Sequence, residues 1–168
     1  PIVKALREGL AGNEITHIYG ILNGTCNYIL SEMREKRLSF DTVLAEAQAL
    51  GYAEAEPSMD VDGIDAAHKL ALLACLAFGT KVNFDDVYIE GIRHVSLQDI
   101  DYAEEFGYRI KLLGSARMTE NGLEQRVYPR MVDRNAPIEA PRAQQGWVQH
   151  VGAVGGRDQN DPFVRLEP

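Results

Sequence analysis

The chain has 168 residues, 45% of them apolar, which is enough for one domain with a substantial core. Its 25 acidic residues against 17 basic ones give a net charge of −8, so repulsion argues against nucleic acid and anionic membrane surfaces as partners. No run reaches the roughly 18 apolar residues of a membrane span, the start lacks a signal-peptide pattern, and Cys26 and Cys75 read as buried packers in a reducing, cytoplasmic setting.

The chain opens on Pro1, already at the first turn of a helix, and is read as a segment of something longer. Ile2, Val3, Ala5, Leu6 and Leu10 share one helical face, with Gly12-Asn13 as the stop. Ile15 to Leu22 alternates and is rich in β-branched residues, which predicts a strand. Asn23 or Thr25 can cap the helix that follows, in which Cys26, Ile29, Leu30 and Met33 recur at helical spacing. A third helix opens at Phe40-Asp41, is lined by Val43, Leu44, Ala47 and Leu50, and ends at Gly51. A fourth starts near Asp62-Gly63 and runs to Phe78. From Leu70 on it is apolar all round, which predicts a helix enclosed by protein.

Val87 to Ile92 reads as a short strand, and Leu97 to Gly107 as a helix with Ile100, Ala103 and Phe106 inward. Two alternating runs flank Glu120-Asn121-Gly122, a strong hairpin signal. The fold class is therefore α+β: a mixed sheet from the strands near Ile15, Val87, Tyr108 and Leu123, with helices packed on one face. Residues 1–134 form one domain on this reading. After Arg134 the patterns fail, and residues 135–168 are read as a divergent or incomplete tail.

The stretch before the fourth helix holds Glu54, Glu56, Asp60, Asp62 and Asp65, with Lys69 one turn further on. Capping and the helix dipole account for two of these acids, with Asp62 as cap and Asp65 three residues on. A calcium loop fails on register: with Gly63 sixth, the twelfth position, which needs a bidentate Glu, is Lys69. A polar site for a cationic small molecule remains. Asp65 and Lys69 face the same way, and Leu72 and Leu76 continue their line. They read either as a surface ion pair or, if the helix is enclosed, as a lysine placed to give or take a proton beside ligand-holding acids. Asn23-Gly24-Thr25 is either a capped turn or a set of free N–H groups suited to a ligand carboxylate.

GILNGTCNYIL (Gly20 to Leu30), LAEAQALGYAEAEPSMDVDGIDAAHKLALLA (Leu44 to Ala74) and GYRIKLLG (Gly107 to Gly114) together resemble the substrate-binding and catalytic domain of homoserine dehydrogenase, from about Pro1 to Arg134. The resemblance implies an NAD- or NADP-dependent interconversion of L-homoserine and L-aspartate 4-semialdehyde, in threonine, methionine and isoleucine biosynthesis. It implies Lys69 as the proton-handling lysine, Glu54 as the residue that grips substrate, Asp60 and Asp65 as its companions, and Gly24, Thr25 and Tyr52 as lining. It also implies a homodimer built on the sheet. The glycine-rich nucleotide-binding domain and the family's cation site are expected outside this stretch, so the chain alone is expected to be inactive, and no metal ligands are assigned. The competing reading is a non-catalytic dimerisation or interaction module that keeps the fold.

Overall fold

The structure, a computed structural model, describes residues 2–139. Four strands form one mixed sheet in the order β1-β3-β4-β2: His17–Gly20 (β1), Tyr88–Ile89 (β2), Tyr108–Thr119 (β3) and Gly122–Asp133 (β4). β3 pairs antiparallel with β1 and β4, and β2 runs parallel to β4. Residues Thr119 and Gly122 are register partners across the hairpin, so Glu120-Asn121 form a two-residue turn, and Gly122 takes φ +110°, which glycine adopts without steric cost.

The helices are Ile2–Lys4 (α1), Gly24–Lys36 (α2), Phe40–Ala49 (α3), Ser58–Val61 (α4), Ile64–Phe78 (α5) and Leu97–Glu105 (α6). Alternation along β3 and β4 turns Leu112, Gly114, Ala116 and Val127 toward α2 and α5, where Ile29, Met33, Val43, Leu70 and Ile92 complete a fully buried core. Gly114 sits where α5 meets the sheet. A Cβ there would lie 2.6 Å from the Leu22 side chain and 3.5 Å from that of Leu70.

On the opposite face of the sheet, His17 is 2.9 Å from Ser115 Oγ and stacks on Tyr19 at 5.4 Å, while Glu124 pairs with Arg117 at 2.5 Å and with Arg126. β1 stops pairing at Gly20 opposite Gly114, which leaves the Leu112 backbone without a strand on that side. The buried Asn27 of α2 takes the strand's place. Its Oδ1 accepts from Leu112 N at 3.1 Å, and its Nδ2 donates to Leu112 O at 3.2 Å and to Asn23 O at 3.0 Å. One amide thus satisfies buried backbone groups and pins the start of α2 to the sheet.

Several expectations need correction. The first helix is present, as α-helix over Ile2–Lys4 continued by a π-helix over Ala5–Gly9, but of the apolar face read from Ile2 to Leu10 only Leu6 is buried. Leu50 is 62% and Phe106 69% exposed; both stand at C-cap positions, past the last turn that holds the inward face of α3 and α6. α5 is not enclosed on every side. It buries Ala66, Ala67, Leu70, Ala71 and Ala74, while Leu72 is 56% and Leu76 38% exposed. The reason is geometric: the sheet, α4 and the Ala5–Gly9 segment pack against α5, and beyond Lys69 the line continues into Leu72 and Leu76, which are left exposed in the described residues.

Asp62 does not cap α5. Gly63, at φ +83°, occupies that position with no side-chain cap, and Asp62 instead binds the Arg93 guanidinium. Arg93 also donates to Ser58 Oγ at 3.0 Å, and Ile92 N donates to Val61 O at 2.8 Å. The α4–α5 corner is therefore clasped by the segment after β2. Gly91 lies at the closest approach of the two backbones. Of the tail read over 135–168, the described part holds a single 3-10 turn at Pro137–Glu139; the rest lies outside the described residues.

Candidate active site

Three pieces of chain converge beyond the end of β1: the turn Leu22-Asn23 leading into α2, the short helix α4, and the first turn of α5. The element that joins them is Asn23, which is 4% exposed. Its extended backbone places it at the N-cap of α2, where Oδ1 accepts from Cys26 N at 2.9 Å. That bond fixes which end of the amide is oxygen, so Nδ2 faces the acids. It donates to Asp60 Oδ1 at 2.6 Å and to Asp65 Oδ2 at 3.0 Å.

Asp65 Oδ2 also accepts from Lys69 Nζ at 2.6 Å, and Lys69 Nζ donates to Leu22 O at 3.2 Å. Asp60, Asp65 and Lys69 are thus brought together, as the sequence spacing led us to expect for the last two. Burial pushes the Asp65 carboxyl upward, but the hydrogen bonds from Lys69 and Asn23 outweigh it and hold the group below its usual range. Lys69 has three N–H donors, of which these contacts engage two; its side chain is 51% exposed. Among the described residues the expectation of a lysine walled in by apolar groups is therefore not met, because Lys69 and the Leu72 and Leu76 that follow it on α5 are exposed.

Of the remaining predicted residues, Gly24, Thr25 and Tyr52 lie around the start of α2, while Glu54 makes no contact with the Asp60–Asp65–Lys69 cluster among the bonds described. Thr25 Oγ1 donates to Tyr52 O at 3.2 Å, and the Tyr52 ring, itself 57% exposed, packs against Tyr28 at 4.8 Å. These contacts tie the loop after α3 to α2. Gly24 is exposed, with no atom within 4 Å of where a Cβ would be, so the floor beside Asn23 is open. Glu54 is exposed; its backbone oxygen accepts from Gln48 Nε2 at 3.0 Å. Glu56 turns away to Ser58, where the Ser58 hydroxyl and backbone N–H hold its carboxyl below the usual range.

Two residues escaped the sequence reading. Asn23 was seen as a capping candidate but not as the bridge between two acids. Arg93 gave no signal, since its partner Asp62 lies 31 positions away. Cys26 lies in the same cluster, donating to Asp60 O at 3.0 Å, but burial and then the charges of Asp60, Asp65 and Asp62 push its thiol up to about 12. It stays protonated near neutrality and is no nucleophile. Asp60 and Asp62 face different partners, Asn23 and Arg93, and among the described residues no group of three or more His, Cys, Asp or Glu is placed to hold a metal ion.

Nor is the start of α2 built to hold the pyrophosphate of a dinucleotide. The strand-to-helix turn after β1 is the place for a pyrophosphate, but the Asn23 side chain occupies that helix N-terminus and no glycine fingerprint follows the strand.

A mixed-sheet α+β domain that gathers two carboxylates and a lysine at one end is the class these features define. The family model described as homoserine dehydrogenase matches residues 1–156, past Arg134 where the sequence resemblance ended, and the chain belongs to that family. It is 60% identical over 132 residues to a homoserine dehydrogenase of Neisseria gonorrhoeae, covering 79% of this chain and 30% of that protein. Among solved structures it is similar to a homoserine dehydrogenase from Thiobacillus denitrificans, with TM-score 0.81 and 57% identity over 83% of this chain and 32% of that one. A hyperthermophilic archaeal homoserine dehydrogenase in complex with NADPH superposes with TM-score 0.66 at 30% identity, covering 82% of this chain and 38% of that one. The chain thus spans about a third of the length of the relatives it matches.

Proposed function

We propose that the chain is the substrate-binding and catalytic portion of an NAD- or NADP-dependent homoserine dehydrogenase, interconverting L-homoserine and L-aspartate 4-semialdehyde in the route to threonine, methionine and isoleucine. The observation that carries this reading is the Asp60–Asn23–Asp65–Lys69 chain of hydrogen bonds in a member of that family. Lys69 gives or takes the proton of the substrate's hydroxyl or aldehyde oxygen through the donor left over by Asp65 and Leu22 O. Asp65 orients that ammonium and keeps it close. Asp60, Glu54 and the rim of Gly24, Thr25 and Tyr52 hold the amino acid, whose own ammonium is suited to charge-assisted bonds with carboxylates.

The nicotinamide supplies only hydride exchange, and its binding belongs to parts of the enzyme outside residues 2–139. The archaeal relative's NADPH supports a nicotinamide cofactor. The open side of α5, with Lys69 and then Leu72 and Leu76, is the side we assign to that nucleotide-binding part. The two leucines are already about half-buried, so covering the rest would contribute roughly 0.5–1.5 kcal/mol each and would shield Lys69 from water. By itself the chain therefore neither binds the cofactor nor turns over homoserine. We assign residues 1–134 to the catalytic domain and the homodimer of the family resemblance to the outer sheet face, where Tyr19 and, at the edge strand, Tyr88 are exposed. The compartment assigned is the cytoplasm; the two cysteines are free thiols, and no helix among the described residues is long and apolar enough to cross a membrane.

Glu54 tests the division of labour. As an exposed loop carboxylate, it meets the substrate's ammonium without touching the reacting carbon. Glu54→Gln, in a full-length homoserine dehydrogenase carrying this segment, is expected to raise KM for homoserine about 10-fold and to lower kcat less, as loss of uniform binding does. Steady-state kinetics that show the reverse order would move Glu54 into the chemical step.

A further inference from the structure

Asn23 is more than a helix cap. A cap needs only a side-chain oxygen that accepts from the backbone, which Asn, Asp or Ser supplies about equally well. Here Nδ2 is also used, and both carboxylates that reach it come from other elements, Asp60 from α4 and Asp65 from α5. The amide is buried and fixed at both ends. Its oxygen is held by Cys26 N, and its own carbonyl is held by Asn27, which is in turn locked onto β3. A rigid donor therefore sits between two negative groups that would otherwise repel each other. From the same turn, Leu22 O accepts from Lys69, so one dipeptide contacts both the acid pair and the lysine.

We infer that Asn23 is a positioning residue for the reaction: its carboxamide clamps Asp60 and Asp65 at a fixed separation, and through Asp65 aims the Lys69 ammonium at the reacting oxygen. The inference rests on the homoserine dehydrogenase reading. It does not make Asn23 a catalytic residue, since it acts through Asp65.

The test uses Asn23→Ser and Asn23→Asp, which keep a capping oxygen and lose the bridging N–H groups. In a full-length homoserine dehydrogenase carrying this segment, both are expected to lower kcat/KM for homoserine about 10-fold or more, because misplacing a working group costs rate; Asn23→Ser is expected to unfold near the wild-type temperature, whereas Asn23→Asp, which sets a third buried carboxylate against Asp60 and Asp65, is expected to unfold at a lower one. A second measurement does not depend on turnover. Carboxyl NMR of the 168-residue chain follows Asp60 and Asp65, the acids facing the amide, with His68, Lys69 and Cys26 as the other titratable neighbours. In Asn23→Ser, Asp65 is expected to titrate at higher pH than in wild type.

Wild-type kcat/KM in both variants, or an unmoved Asp65 titration in Asn23→Ser, overturns the inference and leaves Asn23 as a cap. If the wild-type enzyme itself fails to oxidise homoserine, the functional reading fails, and the titration alone decides whether the amide clamps the acids.

Discussion

Lys69→Ala, in a full-length homoserine dehydrogenase carrying this segment, is expected to lower kcat by about 10²-fold or more and to change KM less, the scale of losing a positioned acid–base group. The geometry says why the loss falls on kcat. Lys69 Nζ lies 2.6 Å from Asp65 and 3.2 Å from Leu22 O, so two donors are spent on holding the ammonium and one is directed elsewhere. Alanine removes the proposed proton source and leaves Asp65 still bonded to Asn23, so the acid pair proposed to hold substrate keeps its bridge. As an isolated surface ion pair, Asp65 and Lys69 would contribute only about 0–1 kcal/mol to stability, and the variant should fold normally. Steady-state kinetics with saturating cofactor decide the matter; an unchanged kcat would remove Lys69 from the mechanism.

The second large effect is structural. Gly91→Ala would place a Cβ 2.3 Å from Val61 O, 2.5 Å from Asp62 Cα and 2.9 Å from Asp62 C, all of them backbone atoms that cannot swing aside. To accept the methyl, the segment after β2 must separate from the α4–α5 corner, which breaks the Ile92 N to Val61 O bond and pulls Arg93 from Asp62. Overpacking of this kind costs about 1–3 kcal/mol. At roughly 2–4 °C per kcal/mol for a chain of this size, thermal unfolding should fall by about 2–12 °C. Gly12→Ala is the control, since nothing lies within 4 Å of a Cβ there. Equal unfolding temperatures for wild type and Gly91→Ala would show that the corner is not clasped as described.

Much of the frame was legible because it depends on local patterns. The apolar spacing of Cys26, Ile29, Leu30 and Met33, the Gly79 stop at φ +65° and the hairpin turned at Glu120-Asn121 each follow from neighbours in sequence. The i, i+4 pairing of Asp65 with Lys69 belongs to the same class and is present at 2.6 Å. What stayed hidden depends on partners far apart in sequence. Asn23 reads as a cap because its cap partner is three residues away, whereas its acid partners are 37 and 42 away. Asp62 was assigned to the helix beside it, yet Arg93 outcompetes that role and leaves Gly63 at the cap. The enclosure of α5 was overestimated because leucine content predicts burial only when something covers it. Leu72 and Leu76 are apolar and open in the described residues.

The central claim is the reaction itself, and its most direct measurement is the reductive direction with a full-length protein that carries this segment. Supplied with L-aspartate 4-semialdehyde and NADPH or NADH, that protein is expected to form L-homoserine in step with loss of nicotinamide absorbance, and Lys69→Ala to form strongly less. A folded protein that binds the reduced nicotinamide yet yields no homoserine would contradict it.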